Sequence, residues 1–222
     1  MEQEILKSWN ENADEWIKNL EERKISSREI TDKAIVAAIS ELDANNILDC
    51  GCGEGWLTRS MTEIGKNCVG IDATSRLIEN ARLKGSETFH LMSYEDVISE
   101  VQIPESPFDT VVFNFCLYQK DGLVGLFKGI KKVIYKNGHI LIQTLHPYFL
   151  KQQGLPQKSQ WISDSWKGLS GDFKNGHKWY ARTFEDWMTE FYKSELDLKE
   201  KIEVRDSEKI PLSVIYILTL KS

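Results

Sequence analysis

A chain of 222 residues with 41% hydrophobic side chains is long enough to bury one substantial core, so a single domain over 1–222 is expected rather than two. Its formal charge of −6 would repel a polyanionic backbone, which sets nucleic acid aside as the main partner and favours a small molecule. No apolar run approaches the roughly 20 residues that span a bilayer, and Met1-Glu2-Gln3-Glu4 lacks the basic and apolar regions of a secretory leader, so a cytoplasmic protein without membrane contact is expected.

Residues 5–20 place Trp9, Ala13, Trp16, Ile17 and Leu20 at helical spacing, giving one apolar aromatic face. Ser26-Ser27-Arg28-Glu29 resembles a capping box, and Ile30, Ala34, Ile35, Ala38, Ile39 and Leu42 continue a second helix. These two helices predict an N-terminal cap over 1–44.

The stretch that follows is the most informative. Ile47-Leu48-Asp49-Cys50 reads as a strand that runs into Gly51, Gly53 and Gly55, and an amphipathic helix follows over 56–64. Glycine lacks a Cβ, so this loop can take positive φ and approach a ligand closely, while the helix start is expected to aim amide donors at it. In the dinucleotide fingerprint G-x-G-x-x-G the third small residue would fall at Trp56, where an indole is hard to fit to a pyrophosphate turn. A second strand, 67–71, ends at Asp72, 19 residues past Gly53, near the offset at which an acid meets a ribose hydroxyl. The bland alternative is a tight turn, with Asp72 capping the next helix.

Strand and helix patterns then alternate: helix 75–84 stopped by Gly85, strand 88–92, a short helical stretch near 94–100, strand 109–114, helix 122–134, an Asn137-Gly138 turn and strand 139–144. Such alternation predicts parallel crossovers and a doubly wound α/β sheet. A segment over 147–182 is too long for an ordinary connection. It holds Trp161, Trp166 and Trp179 and carries four net positive charges on an otherwise acidic chain, so it is expected to form a lid with the N-terminal helices and to favour an anionic acceptor. A helix over 184–193 and two apolar-rich runs, 196–204 and 212–220, close the chain as an antiparallel pair. Cys50, Cys52, Cys68 and Cys116 lack zinc-ligand spacing, and reduced thiols with no metal are expected. Cys50 and Cys52, if both on a strand, would face the same side.

D-x-G-x-G-x-G, complete from Asp49 to Gly55, resembles motif I of the class I S-adenosylmethionine (SAM) methyltransferases, and five parallel strands finished by an antiparallel pair, seven in all with helices on both faces, is the fold of that group. The resemblance covers roughly 45–222 and is similar to the ubiquinone and menaquinone methyltransferases. It implies a small-molecule methyl transfer with SAM as cofactor and S-adenosylhomocysteine as product. By the same resemblance, Asp49 and the amides around Gly51, Cys52 and Gly53 would meet the methionine part, Asp72 the ribose hydroxyls, and Ala73 the adenine. Many relatives carry an acid after strand three. Here Ser93 stands in that place, so Ser93 or the backbone of Tyr94 would substitute, unless Ser93-Tyr94-Glu95-Asp96 merely begins a helix.

Asn114, at the end of strand four, is a cofactor or substrate contact by its position. The Pro-Pro-aromatic and Pro-Cys signatures of amide, base-amino and base-carbon methylating enzymes are absent from Asn114-Phe115-Cys116-Leu117-Tyr118, which makes Cys116 a core thiol. His146, following strand five, is a candidate general base or a histidine bonded at a strand end. His90 reads as structural and His177 as surface. Trp9, Trp16, Tyr118, Trp179, Tyr180 and Arg182 are the acceptor and lid candidates, although such aromatics often only pack. Two rivals stand beside this reading: a SAM-binding or protein-interaction module without turnover, and an NAD-dependent oxidoreductase.

Overall fold

The computed structural model describes residues 2–221. Two helices open it, α1 (Glu2–Glu21) and α2 (Arg28–Ser40), followed by β1 (Asn46–Cys50), α3 (Trp56–Glu63), β2 (Asn67–Asp72), α4 (Ser75–Lys84), β3 (Thr88–Leu91), α5 (Tyr94–Ile98) and β4 (Phe108–Asn114). Next come α6 (Leu123–Val133), β5 (Ile134–Leu145), α7 (Tyr148–Gln152), β6 (Gln160–Ile162), β7 (Trp179–Ala181), α8 (Phe184–Lys193), β8 (Leu196–Arg205) and β9 (Pro211–Leu220). Seven strands form one sheet in the order β3-β2-β1-β4-β5-β9-β8. The first five are parallel, and β9 runs antiparallel to both β5 and β8. This is the doubly wound sheet expected from the alternating pattern.

Alternation along the strands sorts the core into two layers. Leu48, Val111, Phe113, Ile140, Ile142, Val214 and Tyr216 pack with Leu126, Phe127 and Ile130 of α6 and Trp187 and Phe191 of α8. Their neighbours Ile47, Val112, Leu141, Ile215 and Ile217 pack on the opposite layer with Ile35 and Ile39 of α2 and Leu57 and Met61 of α3. Successive strand residues point to opposite faces, and burying each such side chain contributes roughly 1.5–3 kcal/mol.

Three local expectations give way. Ser27 precedes α2 in a helical conformation and makes no capping hydrogen bond with its side chain, because the turn Ile25–Ser27 already feeds the helix through its own carbonyls. Asn137-Gly138 does not turn the chain: β5 begins at Ile134, which pairs with Phe108, and the register shifts before His139 meets Thr110. Gly138 sits at that irregularity because a Cβ there would lie 2.6 Å from Ile134 and 2.7 Å from the Asp109 carbonyl. Cys52 lies beyond β1, so it joins Ile78, Ala81 and Phe89 while Cys50 joins the layer under α6.

The segment 147–182 contains α7 and a separate two-stranded sheet of β6 and β7, with Trp161 opposite Tyr180. It is held to α1 by paired contacts. The Asn12 amide donates to the Lys174 carbonyl at 2.7 Å and accepts from the Lys174 amide at 2.7 Å; the Ser8 hydroxyl donates to the Asn175 carbonyl and accepts from the Trp166 indole. Beneath this clasp Ala13 and Ile17 of α1 pack on Leu77 of α4.

Candidate functional site

The chain reverses its direction of strand addition between β1 and β4, and the loops after those two strands meet at a crevice, where ligands bind in such sheets. A cavity of about 880 Å³ opens there, within the usual range for a small-molecule site. Gly51, Cys52 and Gly53 line it from β1, Asp72 and Ala73 from β2, Ser93 and Tyr94 from β3, Asn114 and Cys116 from β4.

Gly51 takes φ +84°, and a Cβ there would lie 2.8 Å from both Cys116 Cβ and the Tyr94 hydroxyl; only glycine lets the two loops close. The loop does not present its amides to the cavity as expected. Those of Gly51 and Cys52 donate to the Ile71 carbonyl, at 2.8 and 3.0 Å, and that of Gly53 donates to Asp72 Oδ2 at 3.0 Å. The amides of Gly51, Cys52 and Gly53 are therefore not free to cradle a phosphate.

Asp49 is 1% exposed and does not line the cavity. Its Oδ2 accepts from the Thr58 hydroxyl at 2.9 Å. Burial, only partly offset by that bond, pushes its carboxyl up to about 7. It thus ties α3 to β1 from beneath the loop, and the expected direct contact with a ligand is replaced by this anchoring. Asp72 does reach the cavity. Its two oxygens accept from the Gly53 amide and, at 2.7 Å, from the Thr74 amide, and burial raises its carboxyl against those stabilising amides. Each oxygen keeps a further lone pair for a hydroxyl donor.

Ser93 lines the cavity, yet its hydroxyl is engaged in a capping box with Asp96 at the start of α5. That is the helix-start reading of this stretch. Tyr94, packed on Phe113, reaches the Cys116 carbonyl at 3.4 Å. Cys116 Sγ donates to the Cys50 carbonyl at 3.1 Å, and burial raises the thiol to about 12, which suits a structural thiol. Asn114 Oδ1 is buried without a partner among the described residues. The residue after it, Phe115, takes φ +51°, an uncommon conformation for a bulky side chain and one that marks a constrained site.

Farther out the walls are aromatic. Trp9 lies 5.2 Å from Trp16, 4.8 Å from Trp166 and 6.1 Å from Tyr118, centroid to centroid. Trp179 packs on Phe149, and Tyr180 on Trp161. The Tyr118 hydroxyl is spent on the Phe115 carbonyl. Arg182 also lines this region, but its guanidinium donates to the Gln119 and Lys120 carbonyls at 2.9 and 2.6 Å and sits beside Asp186. It fastens the segment after β4 rather than offering a free charge.

His146 faces the cavity too. Its Nδ1 accepts from the Tyr148 amide at 3.0 Å, so the neutral ring carries its proton on Nε2, which faces Glu203 at 3.6 Å. No lone pair is left for a substrate proton, and the strand-end reading fits the contacts. His90, by contrast, meets Glu105 at 3.0 Å, away from the cavity.

Two polar residues stand out among the cavity residues that sequence reasoning missed. His177 is buried rather than on the surface, its Nδ1 3.0 Å from the Ser165 hydroxyl and its Nε2 without a partner among the described residues. Burial lowers the imidazole to about 4. Arg28 lies over Trp56 at 4.8 Å and pairs with Asp32 at 3.0 Å. Neither had a local signal. His177 owes its burial to α1, and Arg28 sat in what resembled a cap.

The sequence matches the family described as a methyltransferase domain over residues 15–192. The chain belongs to that family. A ubiquinone biosynthesis O-methyltransferase of Pelagibacter ubique is 30% identical over 125 residues, 56% of this chain and 52% of that protein. The chain spans about half the length of the curated relatives it matches. Among solved structures, a SAM-dependent methyltransferase of Leishmania major superposes with a TM-score of 0.72 at 15% identity, covering 98% of this chain and 82% of that one. A Burkholderia thailandensis 1,6-didemethyltoxoflavin-N1-methyltransferase, solved with its substrate and S-adenosylhomocysteine, gives 0.65 at 13% identity over 95% and 87%. These likenesses fix the methyltransferase fold, and among the described residues no helix is long and apolar enough to cross a membrane.

Proposed function

We propose that this methyltransferase domain binds SAM in the crevice between β1 and β4 and transfers its methyl group to a small-molecule acceptor held under α1 and the 147–182 segment. The observation that carries the reading is the electrostatic character of the glycine loop. The amides of Gly51, Cys52 and Gly53 are consumed internally, and Asp49 already occupies the space beneath the loop. A pyrophosphate would find those amides already taken, whereas the methionine moiety of SAM does not depend on a cradle of amide donors. Asp72 would take the two ribose hydroxyls, with Ala73, the Tyr94 backbone and Ser93 beside the base. Asn114, with its orphan oxygen, would gain a donor from the bound cofactor.

SAM, when bound, supplies an electrophilic methyl on a sulfonium. The chain's task is then to align the acceptor, exclude water and accept a proton where the acceptor carries one. The Trp9, Trp16, Trp166 and Tyr118 wall, closed by the Asn12 and Ser8 clasp, supports a lid that does the excluding. For the acceptor, the aromatic wall favours a flat molecule. An anionic group would depend on Lys167, which lines the cavity, since Arg182 is engaged. Four unpaired thiols among the described residues fit a reducing, cytoplasmic setting.

Calorimetry with SAM, S-adenosylhomocysteine and NAD separately tests the cofactor. Micromolar binding of the first two and no heat from NAD is expected, and binding of NAD alone refutes the reading. Incubation with methyl-labelled SAM and a metabolite extract then separates an enzyme from a binding module, because only an enzyme yields labelled product.

A further inference from the structure

We infer that His177, oriented by Ser165, is the catalytic group that takes the proton from an acceptor N–H or O–H as the methyl is transferred. This rests on the SAM-dependent transfer proposed above and adds the proton acceptor, and with it the kind of nucleophile: one that still carries its proton at neutral pH.

The geometry is that of an imidazole held by one nitrogen and left buried and unpaired at the other. His177 is 4% exposed and lines the cavity. Its Nδ1 lies 3.0 Å from Ser165 Oγ, and the Ser165 amide donates to the His177 carbonyl at 3.0 Å, so the two residues are tied through both main chain and side chain. A hydroxyl oxygen can accept from Nδ1–H, which leaves the lone pair on Nε2. Among the described residues nothing answers that nitrogen. Its surroundings are the rings of Tyr118 at 5.3 Å, Trp166 at 5.7 Å and Trp9 at 6.4 Å, and the Tyr118 hydroxyl that could have bonded to it is turned to Phe115. A buried polar atom left unpaired is costly, and a ligand donor that displaces one of these rings from the cavity wall would satisfy it.

The acceptor nitrogen or oxygen forms a bond to the methyl carbon, the carbon–sulfur bond breaks with its electron pair returning to sulfur as a neutral thioether, and the acceptor's proton passes to His177 Nε2 and thence to solvent. The groups acting on the imidazole are few. Burial against Trp9, Tyr118 and Trp166 disfavours the imidazolium, and Asp164, whose Oδ1 accepts from the Trp166 amide, favours it. The ring is therefore neutral, with its lone pair available, throughout the physiological range. His146, the other histidine on the cavity wall, has its lone pair committed to Tyr148.

Two measurements on the full chain decide the matter. The first needs no acceptor: nitrogen NMR of protein labelled in histidine reports which ring nitrogen carries the proton. An unprotonated His177 Nε2 at pH 7 is expected, and an Nε2–H tautomer overturns the inference. The second uses methyl-labelled SAM and a metabolite extract with wild type, His177→Gln and Ser165→Ala. Product formation should fall at least 100-fold in His177→Gln and by a smaller factor in Ser165→Ala, with S-adenosylhomocysteine affinity by calorimetry within two-fold of wild type. General acid–base groups contribute factors of this size. The wild-type rate should decline on the acid side as His177 protonates, and Ser165→Ala should shift that limb. Transfer by His177→Gln within three-fold of wild type overturns the inference and leaves the methyltransferase reading standing. No transfer by wild type itself overturns both.

Discussion

Asp72 receives the Gly53 and Thr74 amides on separate oxygens, so it both shapes the glycine loop and faces the space where a ribose would lie. Asp72→Ala should weaken SAM binding by roughly 1.5–3 kcal/mol, the value of a lost charge-assisted hydrogen bond. Calorimetry reads this directly, and an unchanged affinity would remove Asp72 from the site. The glycines divide between folding and binding. At Gly55, φ is +82° and a Cβ would lie 2.5 Å from Phe89 Cζ, so Gly55→Ala should destabilise the fold by about 2–4 kcal/mol, seen as a drop in Tm. Gly53 has φ +57° but its Cβ would find only Leu77 Cδ1, at 4.0 Å. Gly53→Ala should cost about 1–2 kcal/mol for the left-handed backbone and show its main effect on cofactor affinity. If the two alanine variants lose stability equally, this division fails.

Helix α1 and the 147–182 segment behave as one unit because Asn12, 2% exposed, bonds to both main-chain groups of Lys174. Asn12→Ala leaves those groups unpaired, each at a cost of about 1–3 kcal/mol if they stay buried. Amide hydrogen exchange should then accelerate over 172–178 while the central strands keep their protection; uniform acceleration would mean that the clasp supports the whole fold instead. The contrast between sheet and clasp also explains what the sequence reveals. The strand-helix alternation, the D-x-G-x-G-x-G loop and Asp72 are local patterns, and each stands where it was expected. Ser93 was ambiguous because one hydroxyl can cap a helix or meet a ligand. The loop amides could not be assigned because their acceptor, the Ile71 carbonyl, comes from another strand. His177 was illegible for the same reason on a longer scale. In a Gly- and Lys-rich stretch it looks solvated, and only packing by Trp9 and Tyr118, far away in the chain, buries it.

Across the whole molecule two buried groups make stability respond to pH in opposite directions. Asp49 has its carboxyl raised from 3.8 to about 7 by burial. The folded state therefore holds a proton that the unfolded chain has released between those values, and the stability Asp49 contributes is full below about pH 4 and lost as pH rises through 7. His177 is lowered from 6.5 to about 4, again by burial. Here the unfolded chain binds the extra proton, so its contribution is full above about pH 6.5 and is lost as pH falls toward 4. In the wild type these slopes partly cancel, which would hide both in a single melting curve series. Single variants uncover them. Asp49→Asn keeps an acceptor for Thr58 but cannot ionise, so its Tm relative to wild type should improve steadily from pH 5 to pH 8. The free energy at stake is on the order of 2–4 kcal/mol, which corresponds to about 5 °C or more for a chain of this size. His177→Gln should show the mirror image, gaining on the wild type from pH 7 down to pH 4. Thermal melts at intervals across that range supply both comparisons. Parallel Tm curves for Asp49→Asn and wild type would mean that burial leaves the Asp49 carboxyl where it stands in the unfolded chain, and the pH dependence assigned to it would have to be abandoned.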